Sequence, residues 1–189
     1  MIAGHFGLAA AAKAVRPSIP LWSLMLATVW LDVLFGPLFA AGIERLEDAP
    51  GPHGVYGGSV IYADYTHSLL GALVLSALYG LLFLRRWGRP AALILAAVAF
   101  SHWLLDLVVH RADLPILPGN LGDLPRLGFG AWRYPVIAAV LEIALVVAGG
   151  YCYWRAARQA DPRNKRPHLL AAGIVAAGLA VLGLNLAVS

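Results

Sequence analysis

The segment SHWLLDLVVH, residues 101–110, places His102, Asp106 and His110 at successive four-residue steps among aliphatic neighbours. Residues four apart on an α-helix lie on one face, one turn above the other, so His102 and Asp106 can approach a common ion. Imidazole nitrogen and carboxylate oxygen bind divalent metals such as zinc at about 2.0–2.2 Å, and a catalytic site leaves one position open for water. Three or four donors must converge from different helices to build such a site. The other candidates are His67 in YADYTHSLL, Asp32 in VWLDVLFGP and His5 in the opening segment. In a membrane an ionisable side chain costs at least about 2.5–3.5 kcal/mol at mid-depth, and it usually faces a cavity or a partner. A metal cluster of His5, Asp32, His67, His102 and Asp106, opening to the outside, is geometrically possible, with Asp32 or Asp106 as a proton acceptor where it is not a ligand.

Each residue also has a structural reading. His102 and Asp106 can bond one another as an i,i+4 pair, His67 can mark a helix start at an interface, and His5 is near a terminus where polar groups cost little. His110 reads as a solvated helix end. Glu142 is either a salt-bridge member or a partner of the site, and His53 and His168 read as ordinary surface residues. Tyr62, Tyr65, Trp103, Trp132 and Trp154 fit an interfacial aromatic belt.

The elements that must position these groups are transmembrane helices. The chain has 189 residues, of which 60% are hydrophobic and 13% charged, and its mean hydropathy is +0.74. Ordinary soluble domains carry roughly 25% charged residues. Several apolar runs approach the roughly 20 residues a helix needs to cross a bilayer, and no ten-residue alternation of the barrel kind is present. The expected fold is all-α, a single integral membrane domain over residues 1–189. It has five spans, about Pro20 to Gly42, Thr66 to Leu84, Pro90 to His110, Trp132 to Trp154 and His168 to Val188. The opening stretch, about Ile2 to Val15, would rise only about 20 Å and reads as a short or re-entrant helix, or a sixth span. It lacks a basic n-region and is interrupted by His5 and Lys13, so it does not read as a cleaved signal peptide.

Charge sets the expected orientation. Ten of the 14 basic residues fall in the short connections around Lys13/Arg16, Arg85/Arg86/Arg89 and Arg155/Arg158/Arg163/Lys165/Arg166, which the positive-inside rule makes cytoplasmic. The longer loops, Ile43 to Tyr65 and Arg111 to Ala131, then face outward with the C-terminus. The net charge of +4 follows the loops and speaks for topology, not for nucleic acid. The single cysteine, Cys152, excludes an intrachain disulfide and reads as a packing residue.

The motifs AGHFGLA, YTHSLLGAL and FSHWLLDLVVHRADLPILPG together resemble the bacterial membrane-bound metal-dependent hydrolase family, over about the first two-thirds of the chain. That family's pattern is Gly-His, Pro-Asp-x-Asp-His, His-Arg-Gly-x-Thr-His-Ser, then Ser-His-x3-Asp. The resemblance implies an inner-membrane protein with His5, His67, His102 and Asp106 on metal-ligand positions and Asp32 on one of two central aspartates. The chain departs from the pattern at WLDVLFG, with one aspartate and no following histidine. It departs again at YADYTH, where Tyr62 and Ala63 replace His-Arg and Asp64 is an alternative ligand. These losses argue for one metal ion, not two.

Three functions follow as expectations. The first is a metal-dependent hydrolase with an outward-facing site, the metal most simply zinc, acting on a lipid or lipid-linked ester, with Arg111 placed to hold a phosphate. The second is a transporter passing protons or metal ions through the His/Asp residues. The third is a non-catalytic membrane protein with a degenerate site. No His-Glu-x-x-His or Gly-x-Ser-x-Gly motif is present. Substrate and oligomeric state are not legible.

Overall fold

A computed structural model describes residues 2–48, 59–161 and 166–188. It is mostly helical, with six helices and one small strand pair in the order α1 (Ile2–Val15), α2 (Leu21–Thr28), α3 (Trp30–Ala40), β1 (Arg45–Asp48), β2 (Ser59–Tyr62), α4 (Leu69–Val109), α5 (Pro135–Ala160) and α6 (Arg166–Val188). Among the described residues two helices, α4 and α5, are long and apolar enough to cross a membrane, and the pair α2 and α3 passes the same test together.

The longest element is folded back on itself. Gly88 has φ +77° and ψ 172°, a conformation that L side chains rarely adopt, and Pro90 follows it. The residues 69–87 and 89–109 thus form two antiparallel arms. A Cβ on Gly80 would lie 2.4 Å from the Ala92 carbonyl oxygen, so glycine lets the arms touch. Tyr79, Leu95, Val98 and Ala99 bury the seam together with Leu24 and Ala27 of α2. Arg85, Arg86 and Arg89 stand at the reversal, about 20 Å along the second arm from His102.

The stretch expected as one helix from Pro20 to Gly42 is two helices bent by 51° at Val29, which sits at φ −119° and ψ 13°. No glycine or proline marks the break. Its use is tertiary, because the Thr28 carbonyl turns toward the second arm of α4 and accepts a hydrogen bond from His102.

The long loop from Ile43 to Tyr65 contains an antiparallel pair, β1 and β2, with Leu46 opposite Ile61. Its root is fixed by Glu44, a buried carboxylate that accepts from the Tyr65 and Thr66 amides at 2.9 and 2.8 Å. The loop after α4 returns to cap the start of the same helix. Leu69 and Leu70 N–H groups donate to the Pro115 and Ile116 carbonyls, and Ser68 Oγ accepts from Gly71, so the orphan donors of the first turn are satisfied. His53 lies outside the described residues.

Helix α1 packs mainly on α5, with further contacts to α2 and α6. The crossing is close because Gly7 meets Gly149; a Cβ on Gly149 would lie 1.9 Å from the Gly7 carbonyl oxygen. Glu142 of α5 is fully buried and accepts from the Gly4 amide at 3.3 Å. One role of the residue left open on sequence grounds is therefore to satisfy an N-terminal donor of α1 from a neighbouring helix. Cys152 is exposed, which corrects its reading as a packing residue; it lies on the outer face of α5.

Candidate metal centre

Helices α1, α3 and α4, the turn before α4, the strand pair and the segment of Trp132 deliver side chains to one cavity of about 350 Å³. The His5 ring of α1 stacks on the His102 ring of α4 at 4.1 Å, held there by the Gly7/Gly149 crossing. Asp32 comes from the first turn of α3, His67 from the turn before α4, and His102, Asp106 and His110 from its second arm or its end.

Asp106 is the hub. Its Oδ2 lies 3.0 Å from His102 Nε2 and 3.7 Å from both His67 Nε2 and His110 Nε2, while Oδ1 lies 3.4 Å from His5 Nε2. Asp32 Oδ1 stands 3.6 Å from the Nε2 atoms of His67 and His102, and those two nitrogens are 3.2 Å apart. Donor atoms held 2.0–2.1 Å from a tetrahedral ion are about 3.3–3.4 Å from each other. The observed 3.0 to 3.7 Å spacings bracket that edge, so the donors are already collected at the size of such a site.

The tautomers are set from behind. His102 Nδ1–H donates to the Thr28 carbonyl at 2.7 Å, and a carbonyl can only accept. Thr66 Oγ1 donates to the Glu44 carboxylate at 2.9 Å and accepts from His67 Nδ1–H at 2.8 Å. His110 Nδ1–H donates to Asp113 Oδ1 at 3.0 Å. Each of these rings spends its Nδ1 hydrogen on an oxygen and turns Nε2 toward Asp106. An imidazole oriented by an oxygen acceptor on its far nitrogen is the usual support of a metal-binding histidine. His67 Nε2 and His102 Nε2 face one another at 3.2 Å in a buried space, an approach that a cation or a shared proton between them suits.

The chemistry of the donors thus fits a divalent ion in two overlapping groups that share His102: His5, His102 and Asp106, and Asp32, His67 and His102, with His110 within reach of Asp106. Asp32 is the open member. Its side chain is 43% exposed, whereas those of Asp106 and the histidines are buried.

Several residues sit elsewhere than their sequence context suggested. His110 is buried and faces Asp106, because Asp113 grips its far nitrogen and the Trp132 ring covers it at 4.4 Å; it is not a solvated helix end. Trp103 is buried too, its Nε1 donating to the His67 carbonyl at 2.8 Å, and Trp132 lines the cavity, so neither belongs to a lipid-facing belt. Asp64 is turned away from His67 into an ion pair with Arg126 at 2.8 Å. Arg111 is not among the residues lining the cavity. His168 is exposed and accepts from Trp154 Nε1. Glu44, Thr66 and Asp113 were missed as participants; the sole sequence signal was Thr66 next to His67, since Glu44 and Asp113 are brought in by turns.

Comparisons of the chain with protein-family models, curated proteins and solved structures find no match.

Proposed function

We propose that the protein is a membrane-embedded, one-metal hydrolase of the bacterial inner-membrane kind its motifs resemble, acting on a lipid or lipid-linked ester. The observation that supports this most is the 3.2 Å approach of His67 Nε2 to His102 Nε2, with both Nδ1 hydrogens already committed and Asp106 Oδ2 3.0 Å from His102. Zinc is the simplest ion for two imidazoles and carboxylates. When bound, it supplies Lewis acidity toward the ester carbonyl and a water acidified toward a pKa of about 7.

The chain's own residues do the rest. Asp106, buried among four histidines, holds their Nε2 atoms in register. Asp32 is the carboxylate most open to the cavity, so its oxygens are the natural acceptors of the proton of an attacking water. Phe35, Leu46, Ile61 and Trp132 make the mouth apolar.

In this reading the membrane is crossed five times, by the bent pair α2 and α3, the two arms of α4, α5 and α6. The reversal at Gly88 and its arginines lie on the cytoplasmic side, and the metal centre lies near the outer surface.

Elemental analysis of detergent-purified protein tests the proposal, with wild type beside His67→Ala and His102→Ala after dialysis without chelator. About one zinc, manganese or iron per chain, lost in both variants, is the expected result. A protein that holds no metal and takes none up would sink it. The 3.0 Å His102–Asp106 contact also suits a shared proton, so a metal-free protein would favour a proton path across the bundle.

A further inference from the structure

We infer that the site selects a neutral, acyl-type ester over an anionic phosphoester, and that the β1–β2 pair is the element that reads the apolar group beside the labile bond. This inference rests on the metal-dependent hydrolase reading above and narrows its substrate class.

The first argument is charge. Asp32 and Asp106 bring two negative charges to the cavity, which one divalent ion balances. Among the described residues lining the cavity there is no lysine or arginine, and residues 49–58 between the two strands contain none. Two nearby cations are engaged elsewhere. Arg45 bonds Glu47 at 2.7 Å and lies over the Tyr62 ring; Arg126 bonds Asp64 and the Asp113 carbonyl. A phosphoester would bring further negative charge into a largely buried space with no cationic side chain to meet it, and an unpaired buried charge is strongly unfavourable. A carboxylic ester brings a carbonyl dipole and no charge.

The second argument is shape. Above the His/Asp floor the cavity wall is Phe35, Leu46, Ile61 and Trp132. Leu46 and Ile61 are directly opposed across the strand pair, so they present one continuous apolar roof. The cavity volume lies at the small end of the roughly 300–1,000 Å³ usual for ligand sites. It accommodates the ester and the first carbons of a chain, and the roof is where chain length is sensed. The roof is held in place by the site itself, since Ile61 N–H donates to Asp113 Oδ2, whose other oxygen accepts from His110.

The test uses cobalt-loaded full-length protein in detergent, with the visible spectrum of the ion as readout. The neutral ketones 2-heptanone, a hexanoyl compound, and acetone, its acetyl counterpart, are compared with hexyl phosphate. We expect the hexanoyl compound to bind at least tenfold more tightly than both. Ile61→Asn, and independently Leu46→Asn, should erase the preference for six carbons over two while leaving the cobalt spectrum of the unliganded protein in place. Hexyl phosphate binding as well as 2-heptanone, or a chain-length preference unchanged in both variants, overturns the inference and leaves the metal site standing. A wild-type protein with no cobalt spectrum overturns the hydrolase reading and this inference with it.

Discussion

His67 and His102, 35 residues apart, point their Nε2 atoms at each other across 3.2 Å, and each ring is backed by an oxygen that takes its other hydrogen. Two ring nitrogens in that position are well suited to hold a cation between them. Metal removal should therefore loosen the fold. A ligand present at about a thousandfold over its dissociation constant stabilises the folded state by about 4 kcal/mol. Chelator treatment of wild-type protein is expected to lower the thermal midpoint by several degrees, reversibly on adding zinc. His67→Ala and His102→Ala should abolish the difference, and a wild type indifferent to chelator would count against a structural hold by metal.

The Glu44–Thr66–His67 chain predicts a remote effect. Thr66→Val removes the acceptor for His67 Nδ1–H, and Glu44→Gln weakens the group that orients Thr66. Loss of such supporting contacts typically costs 10–100-fold in metal affinity. Titration with zinc against a competing chelator should find that drop in both variants, with Thr66→Ser close to wild type. If Thr66→Val binds metal normally, His67 is oriented by packing alone.

Asp113 joins His110 to the strand pair, with one oxygen for each. Asp113→Ala should free the Ile61 amide, and its hydrogen exchange should speed up at least tenfold, while zinc affinity falls less than in His102→Ala. Unchanged exchange at Ile61 would mean that cross-strand pairing holds the roof without the carboxylate.

The place of His5 depends on two glycines. A Cβ at Gly7 would stand 2.3 Å from the Leu145 carbonyl oxygen, whereas Gly173 has open space around it. Overpacking a tight contact costs about 1–3 kcal/mol. Gly7→Ala is expected to lower the unfolding midpoint and weaken metal binding by moving the His5 ring off His102, and Gly173→Ala should do neither. Equal behaviour of the two variants would show that α1 can shift without consequence.

Much of this organisation is local and therefore legible in the chain. The four-residue spacing of His102 and Asp106 fixes them on one helix face. The apolar runs give the helices. Gly88 and Pro90 among three arginines mark the reversal of α4, because few other residues tolerate that turn.

The rest comes from contacts between distant segments. The bend at Val29 has no breaker residue, and its Thr28 carbonyl is needed only once His102 lies against it. His110, Trp103 and Trp132 look like interface residues in sequence, since burial is decided by what covers a side chain and not by its neighbours in the chain. Glu44 and Asp113 look like ordinary loop acids until turns carry them behind His67 and His110. The sequence by itself determined which donors are available and the helices that carry them. Only the tertiary structure decided which nitrogen of each ring faces the cavity, because that depends on oxygens supplied by other elements.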